Sequence, residues 1–411
     1  MAQPSPLAPE PISALPPIAG VSLASAHCGI RYKERRDLMV ALLDPGTSIA
    51  GVFTRSTTCG APVDWCRKAV KRGKARAIVV NSGNSNTFTG RAGVAVVERT
   101  AAAMAKLAKC DPRDVYISST GVIGEPPPAD KIAAALPAMV KTAGADAAAW
   151  RGAAEAILTT DTFAKLATRQ ATIDGVAVTL NGFCKGSGMI APDMATMLAY
   201  LFTDAALPGK VLQALLTASN ERSFNSITVD GDTSTSDTVL LCATGKAAHK
   251  RIARADDPRL KDFRRALDEV MIDLAQQIVR DGEGAQKFVT IRVAGAASAK
   301  SARRIGLVIG NSPLVKTALA AGDANWGRIV MAVGKSGEKA DRDRLAIAIG
   351  GVRIAENGGP VPGYDEAPVA EHMKGREIEI DVDLGVGRGK ATVWTCDLTH
   401  GYIDINGGYR S

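Results

Sequence analysis

Several things are missing from this chain, and each absence removes a class of protein. No run of about 18 uninterrupted apolar residues exists, so a membrane span is not expected. No Cys-x-x-Cys pair occurs among the 7 cysteines (Cys28, Cys59, Cys66, Cys110, Cys184, Cys242 and Cys396). The 4 histidines (His27, His249, His372 and His400) stand far apart. A disulfide framework and a Cys/His zinc site are therefore both unsupported, and a reducing cytoplasm is the default compartment. The first residues, MAQPSPLAPEPISALPP, hold 6 prolines but neither a basic nor an apolar signal region. Residues 1–20 read as a Pro-rich extended tail, not a signal peptide.

An excess of one charge is also lacking. Lys plus Arg is 50 against 42 Asp plus Glu, a net charge of +8 spread over 411 residues. That balance suits anionic small molecules and is no nucleic-acid footprint. The basic run Arg67-Lys68-Ala69-Val70-Lys71-Arg72-Gly73-Lys74 has no interleaved aromatics and reads as a solvated face. With 46% apolar and 22% charged residues, the chain has the composition of a globular protein of two or three domains.

Short β-type runs alternate with longer helical patterns. Strands are expected at 77–81, 115–119, 288–293, 305–309, 377–384 and 392–395, with a hairpin at Asp174-Gly175 between Ile173 and Val176. Helices are expected at 93–109, 129–135, 147–158, 210–220 and 260–279, the last with Phe263, Leu267, Val270, Leu274 and Ile278 at helical spacing. The class is α/β, with mixed sheets layered against helices.

The most unusual stretch is KGSGMIAPDMATMLAYL, from Lys185 to Leu201. A Gly-Ser-Gly piece passes through a proline turn into an apolar run, and Thr196 stands where that run begins. Two readings of Thr196 are open. It is a plain strand residue, or its hydroxyl attacks the preceding Ala195 carbonyl, giving an ester that water cleaves. Cleavage would leave Thr196 with a free α-amine, ordinarily titrating near ~7.7–8.0, so one residue would supply nucleophile and base.

Other segments are similarly two-sided. Thr120-Gly121, in Ser119-Thr120-Gly121-Val122-Ile123-Gly124, is a strand-to-loop turn or a pair aimed at a developing oxyanion. Glu283, in Asp281-Gly282-Glu283-Gly284, is a helix C-terminal surface acid or an ammonium anchor. The run Asp230-Gly231-Asp232-Thr233-Ser234-Thr235-Ser236-Asp237-Thr238 lacks metal-loop spacing and reads as a turn with hydroxyl-to-backbone bonds. Gly385-Val386-Gly387-Arg388-Gly389 reads as a hairpin turn.

In order, the motifs Gly29–Lys33, Val52–Thr54, Val79–Asn86, Ser119–Gly124, KGSGMIAP with MATML, Asp230–Thr238, Asp281–Ala285 and Gly322–Arg328 resemble the ornithine acetyltransferase family of arginine biosynthesis, often called ArgJ. The resemblance implies an autoprocessed enzyme with an N-terminal threonine nucleophile. It implies cleavage between Ala195 and Thr196, giving an α chain over 21–195 and a β chain over 196–411, the latter with a smaller α/β domain over about 295–411. It assigns the nucleophile to Thr196 and the oxyanion pair to Thr120 and Gly121. It assigns substrate contacts to Thr162 (with Thr159 as an alternative), Lys185, Glu283, Asn406 and Ser411.

The implied reaction moves an acetyl group from N-acetylornithine to glutamate through acetyl-threonine, with no metal or organic cofactor. Small-molecule substrates are the implied partners, with acetyl-CoA a further donor in some members, and neither nucleic acid nor membrane. A heterotetramer of two α and two β chains in the cytoplasm is also implied. Two other functions compete: an autoprocessed amidohydrolase or aminopeptidase, in which water replaces glutamate, and a non-catalytic nucleotide-binding protein using the Gly-rich loops.

Overall fold

The computed structural model describes residues 3–12, 14–32, 34–191 and 197–408. Two sheets lie face to face and helices cover both outer faces. The first sheet runs Val21–Ala26, Leu38–Leu43, Ala77–Asn84 and Val115–Val122 in spatial order, its last pair parallel. The second runs Ser48–Phe53, Thr238–Ala243, Leu198–Thr203, Val176–Lys185 and Lys165–Ile173. In that sheet only Leu198–Thr203 and Thr238–Ala243 pair in parallel.

Alternation decides the layers. Met39, Ala41, Ile78, Val80 and Tyr116 of the first sheet meet Phe183, Leu198, Tyr200, Phe202 and Leu240 of the second in one core. Trp150 is wedged among Phe183 and Phe202, ring edges against faces. The opposite set (Leu38, Val40, Ala77, Val79 and Ile117) packs against the helices Gly90–Ala108 and Ala129–Thr142. The outer face of the second sheet carries Gly209–Arg222 and Lys261–Arg280, whose Phe263, Leu267, Val270, Leu274 and Ile278 are buried at the spacing the sequence predicts. Strands closed over on both faces read as continuous apolar runs, as Leu198–Thr203 does.

A third sheet has its own core. Its order is Gly359–Pro360, Val352–Glu356, Ala346–Ile349, Glu377–Asp383, Phe288–Ala296 and Gly389–Cys396, with helices such as Ala299–Gly310 and Trp326–Gly334 packed on it. Its strand Phe288–Ala296 lies between Glu377–Asp383 and Gly389–Cys396.

Several elements differ from expectation. Residues 305–309, expected as a strand, lie within the helix Ala299–Gly310. Ala302, Ile305 and Ile309 are buried at helical spacing and Ser298 caps the start, so a short apolar run was read at the wrong period. The Gly385–Gly389 segment is not a hairpin turn. Phe288–Ala296 lies between the two strands it joins, so the connection crosses over that strand's end. The helix from Ala129 runs past 135, through Pro137, to Thr142, because Leu136 and Met139 continue the face begun by Ile132. The Asp174-Gly175 hairpin is present, both residues having positive φ (53° and 79°) as a type I′ turn needs.

Among its described residues the Pro-rich start holds no helix or strand, and parts of it pack onto the rest of the chain. Leu7, Leu15 and Ile18 are buried. The Ser5 N–H donates to Thr162 Oγ1 (2.9 Å), Arg376 to the Pro6 carbonyl (2.7 Å) and Asn181 Nδ2 to the Pro16 carbonyl (2.7 Å). Ile18 is only 1% exposed, within the core between the two facing sheets. Ile18→Ala should therefore cost about 2–5 kcal/mol, read as a lowered urea midpoint with an unchanged slope.

Candidate active site

The facing sheets end together on one side, and their strand ends wall a cavity of about 390 Å³. The first sheet contributes the end of Val115–Val122, including Thr120 and Gly121. This strand and its parallel partner continue past the apolar residues into Ser82, Gly83 and Asn84 opposite Thr120, Gly121 and Val122. Both strands thus outrun the expected ends at 81 and 119. Their polar tips are buried, and of them Thr120 and Gly121, with Ser85 just beyond, reach the cavity. Gly121 has φ of +125° and faces Gly83, where a Cβ would overlap the Gly83 backbone. No other residue fits this close approach.

Lys185 ends its strand on the cavity wall, its side chain 11% exposed. Its ammonium donates to Thr159 Oγ1 (2.8 Å) and Thr120 Oγ1 (3.4 Å). Glu283 lines the cavity too, and Asn406 Nδ2 donates to its Oε2 (2.7 Å). Asn406 sits on the helix His400–Asn406, whose Tyr402 also faces the cavity. Gly188 makes room for Glu283, since a Cβ there would overlap the carboxylate. Among the described lining residues, Lys185 is the one cation beside Asp230, Asp232, Asp237 and Glu283. Opposite charges lining one cavity match a zwitterionic amino acid.

The loop before the junction is pinned along its length. The Gly186 N–H donates to Asp161 Oδ1 (2.6 Å), and those of Met189 and Ile190 to Asp230 (2.7 and 2.9 Å). The Val229 N–H donates to the Ile190 carbonyl (2.8 Å). Past the junction, the Met197 carbonyl accepts from the Thr238 N–H (2.9 Å). Residues 192–196, with Ala195 and Thr196, lie outside the described residues, as does Ser411.

Thr162 is not among the residues lining the cavity: its hydroxyl donates to Asp281 Oδ1 (2.5 Å) and accepts from the Ser5 N–H. Thr159, one turn of chain earlier, is the threonine on the wall. Thr120, Gly121, Lys185, Glu283 and Asn406 do converge on the cavity.

Behind the wall lies a buried charge cluster that no sequence pattern announced. Lys165, 0% exposed, donates to Asp161 Oδ1 (2.8 Å) and Asp281 Oδ2 (2.5 Å). Burial alone would raise the Asp161 carboxyl, but Lys165 first, then Lys185 and the hydrogen bonds, hold it below the usual carboxylate range. Burial likewise opposes charge on Lys165, and the two aspartates outweigh it and raise its pKa. For Asp281 burial dominates, so its carboxyl is pushed up despite Lys165. No group of three His, Cys, Asp or Glu suited to a metal occurs among the described residues, nor does a helix long and apolar enough to cross a membrane. The Gly-rich loop Gly385–Gly389 joins two strands, without the following helix a phosphate cradle uses.

These features define a small-molecule enzyme of layered α/β architecture, with its site where two sheets and a junction loop meet. The chain belongs to the ArgJ family, whose model matches residues 22–411. It is 58% identical over 413 aligned residues to the arginine biosynthesis bifunctional protein ArgJ of Gluconobacter oxydans, spanning 100% of this chain and 97% of that protein. The same-named protein of Bradyrhizobium diazoefficiens is 54% identical over 99% of both chains. A crystal structure of ArgJ from Bacillus halodurans is 40% identical over 50% of this chain and 96% of that one, with a TM-score of 0.48. The chain is accordingly an enzyme of arginine biosynthesis.

Two outcomes follow from this geometry. Lys165→Met leaves two buried carboxylates facing each other and should cost about 3–5 kcal/mol. The lowered pKa of Asp161 contributes stability that is present above about pH 4, its unfolded value, and lost as pH falls toward the folded one. Acid titration of the variant should show that loss reduced. Gly188→Ala should raise KM for the amino-acid substrate about tenfold, or about 1.4 kcal/mol, in steady-state assays, while the melting temperature moves only slightly.

Proposed function

We propose that the chain transfers an acetyl group from N-acetylornithine to glutamate, forming ornithine and N-acetylglutamate, after cutting itself between Ala195 and Thr196. One observation carries this reading in an ArgJ-family chain: the cavity beside the junction holds a lysine on one wall and a carboxylate on another, with Thr120 and Gly121 at the strand end between the layers. Lys185 takes the substrate carboxylate and Glu283, held by Asn406, takes an ammonium group. Thr162, or its alternative Thr159 on the cavity wall, and Ser411 complete the set of substrate contacts.

Thr196 Oγ attacks the acetyl carbonyl while its own α-amine accepts the proton. Thr120 and the Gly121 backbone stabilise the oxyanion. Collapse releases ornithine, the α-amine returning the proton to the leaving nitrogen, and glutamate then takes the acetyl group from the threonine ester. Donor and acceptor use the same site in turn, which requires ping-pong kinetics. Acetyl-CoA as a second donor fits the word bifunctional in the relatives' names. The reading further comprises an α chain over 21–195, a β chain over 196–411 with a smaller C-terminal domain, pairing of two such heterodimers, and a cytoplasmic location.

Purified wild-type protein should run as two polypeptides, the second beginning Thr-Met-Leu-Ala. Thr196→Ala should stay a single inactive chain. Recovery of an active, uncut wild-type chain would overturn the processing step, and hydrolysis outpacing transfer at saturating glutamate would point to an amidohydrolase instead.

A further inference from the structure

No step of the acetyl transfer uses Asp230, yet its carboxylate collects hydrogen bonds from separate segments around the cavity. The Met189 N–H donates to its Oδ2 (2.7 Å), and those of Ile190 and Asp232 to its Oδ1 (2.9 and 3.2 Å). The Tyr402 hydroxyl donates to Oδ2 as well (3.4 Å). Two of these partners lead to Glu283. Just before Met189, the Ser187 carbonyl accepts the Glu283 N–H (3.2 Å). Gly188 lies so close that an added Cβ would stand 2.4 Å from Glu283 Oε2. One helical turn past Tyr402, Asn406 Nδ2 donates to that same oxygen (2.7 Å).

Neither route to Glu283 holds itself in place. Met189 has φ of +57°, in the left-handed region where a side chain is crowded, so the loop carrying Gly188 needs an outside anchor. The helix His400–Asn406 buries none of its residues, and polar ties fasten it to the cavity: Tyr402 to Asp230, Asn406 to Glu283, and Thr399 Oγ1 to the Gly284 carbonyl (2.7 Å). Asp230 anchors both.

We propose that Asp230 is a positioning residue for the substrate ammonium, fixing the Glu283 carboxylate from two sides through the Met189 loop and the Tyr402 helix. The inference rests on the reading that Glu283 takes that ammonium, and adds what sets the carboxylate in place. Asp230 lines the cavity itself, but a carboxylate that already accepts these four bonds has little capacity left for a ligand. Its two oxygens hold the Met189 and Ile190 N–H groups separately. An asparagine has one accepting oxygen, so Asp230→Asn must drop one of those bonds while keeping the side chain's size.

Steady-state kinetics in both directions provide the test. N-acetylornithine carries an ammonium group on its side chain, whereas N-acetylglutamate, the donor in the reverse reaction, carries none. In Asp230→Asn, KM for N-acetylornithine should rise about tenfold, with KM for N-acetylglutamate and both kcat values within about threefold of wild type. General damage to the fold would raise both KM values together, and that outcome overturns the proposal. Wild-type constants in Asp230→Asn, with KM for N-acetylornithine raised in Glu283→Gln, overturn it too and leave the ammonium reading standing. Glu283→Gln without effect removes that reading and this inference with it. Should Asp230→Asn prove too unstable to assay, Tyr402→Phe deletes a single donor. It should raise KM for N-acetylornithine about threefold and spare N-acetylglutamate, and unchanged constants there overturn the role of Asp230.

Discussion

The site hangs on a single buried ammonium. Lys165 lies between Asp161 and Asp281, and each aspartate anchors a different wall of the cavity. Asp161 also accepts from the backbone N–H groups of Thr159 and Gly186, fixing the threonine that bonds Lys185 and the loop that leads to the junction. Asp281 is two residues before Glu283, and its carbonyl accepts from Ser187 Oγ. The positively and negatively charged anchors of the cavity are thus held at a set separation through one ion cluster. Buried ion pairs contribute little net stability, because desolvation consumes most of the Coulomb gain. What this cluster supplies is register between two segments more than a hundred residues apart in the chain (Lys165 to Asp281, 116).

Layered packing explains why the site forms at this edge. Strands covered on both faces have only their ends free to meet a ligand, and here two sheets terminate together. The price is a set of buried polar residues at the tips, including Asn81, Ser82, Ser119 and Thr120. Some find partners close by, Ser119 Oγ donating to Asn81 Oδ1 (2.6 Å) within the strand ends and Ser82 Oγ to the Ala156 carbonyl at the end of the helix Ala147–Ala156 (2.8 Å). Preorganised dipoles of this kind need no rearrangement when charge develops nearby.

How much of this was legible depended on whether the signal was local. The helix Lys261–Arg280 and the Asp174-Gly175 hairpin carry their own periodicity and turn chemistry, so the sequence alone located both. Residues 305–309 were ambiguous because so short an apolar run fits either period, and packing of Ile305 and Ile309 decided for helix. The strand tips beyond 81 and 119 were hidden by their polarity, since burial of Ser82 or Thr120 follows from the opposite sheet and not from neighbours in the chain. The Gly385–Gly389 turn could not reveal that another strand lies between the two it joins. In the site, Lys185, Glu283 and Asn406 were found through family resemblance, whereas Thr159 and Thr162 differ only in which one tertiary contacts take up. Lys165 gave no signal at all. A lone lysine in Thr162-Phe163-Ala164-Lys165 is ordinarily solvated, and only the distant Asp281 makes its burial tolerable.

The same topology bears on what a cut at Ala195–Thr196 would do to the molecule. Leu198–Thr203 would belong to the second polypeptide, yet it is bonded along its length to Val176–Lys185 of the first. Ser48–Phe53, from the first, pairs with Thr238–Ala243 from the second. The second sheet is therefore stitched from both pieces, two strands of the second piece lying between strands of the first, and the core between the sheets draws Met39 and Phe183 from one piece and Tyr200 and Leu240 from the other. The N-terminal segment adds a tie of its own, the Pro6 carbonyl accepting from Arg376 of the second piece. Separating the pieces would expose most of that core, at roughly 25 cal/mol for each Å² of apolar surface. A broken peptide bond at the junction releases one local constraint while this shared core stays closed, and Met197, the first described residue after the junction, stays bonded to Thr238.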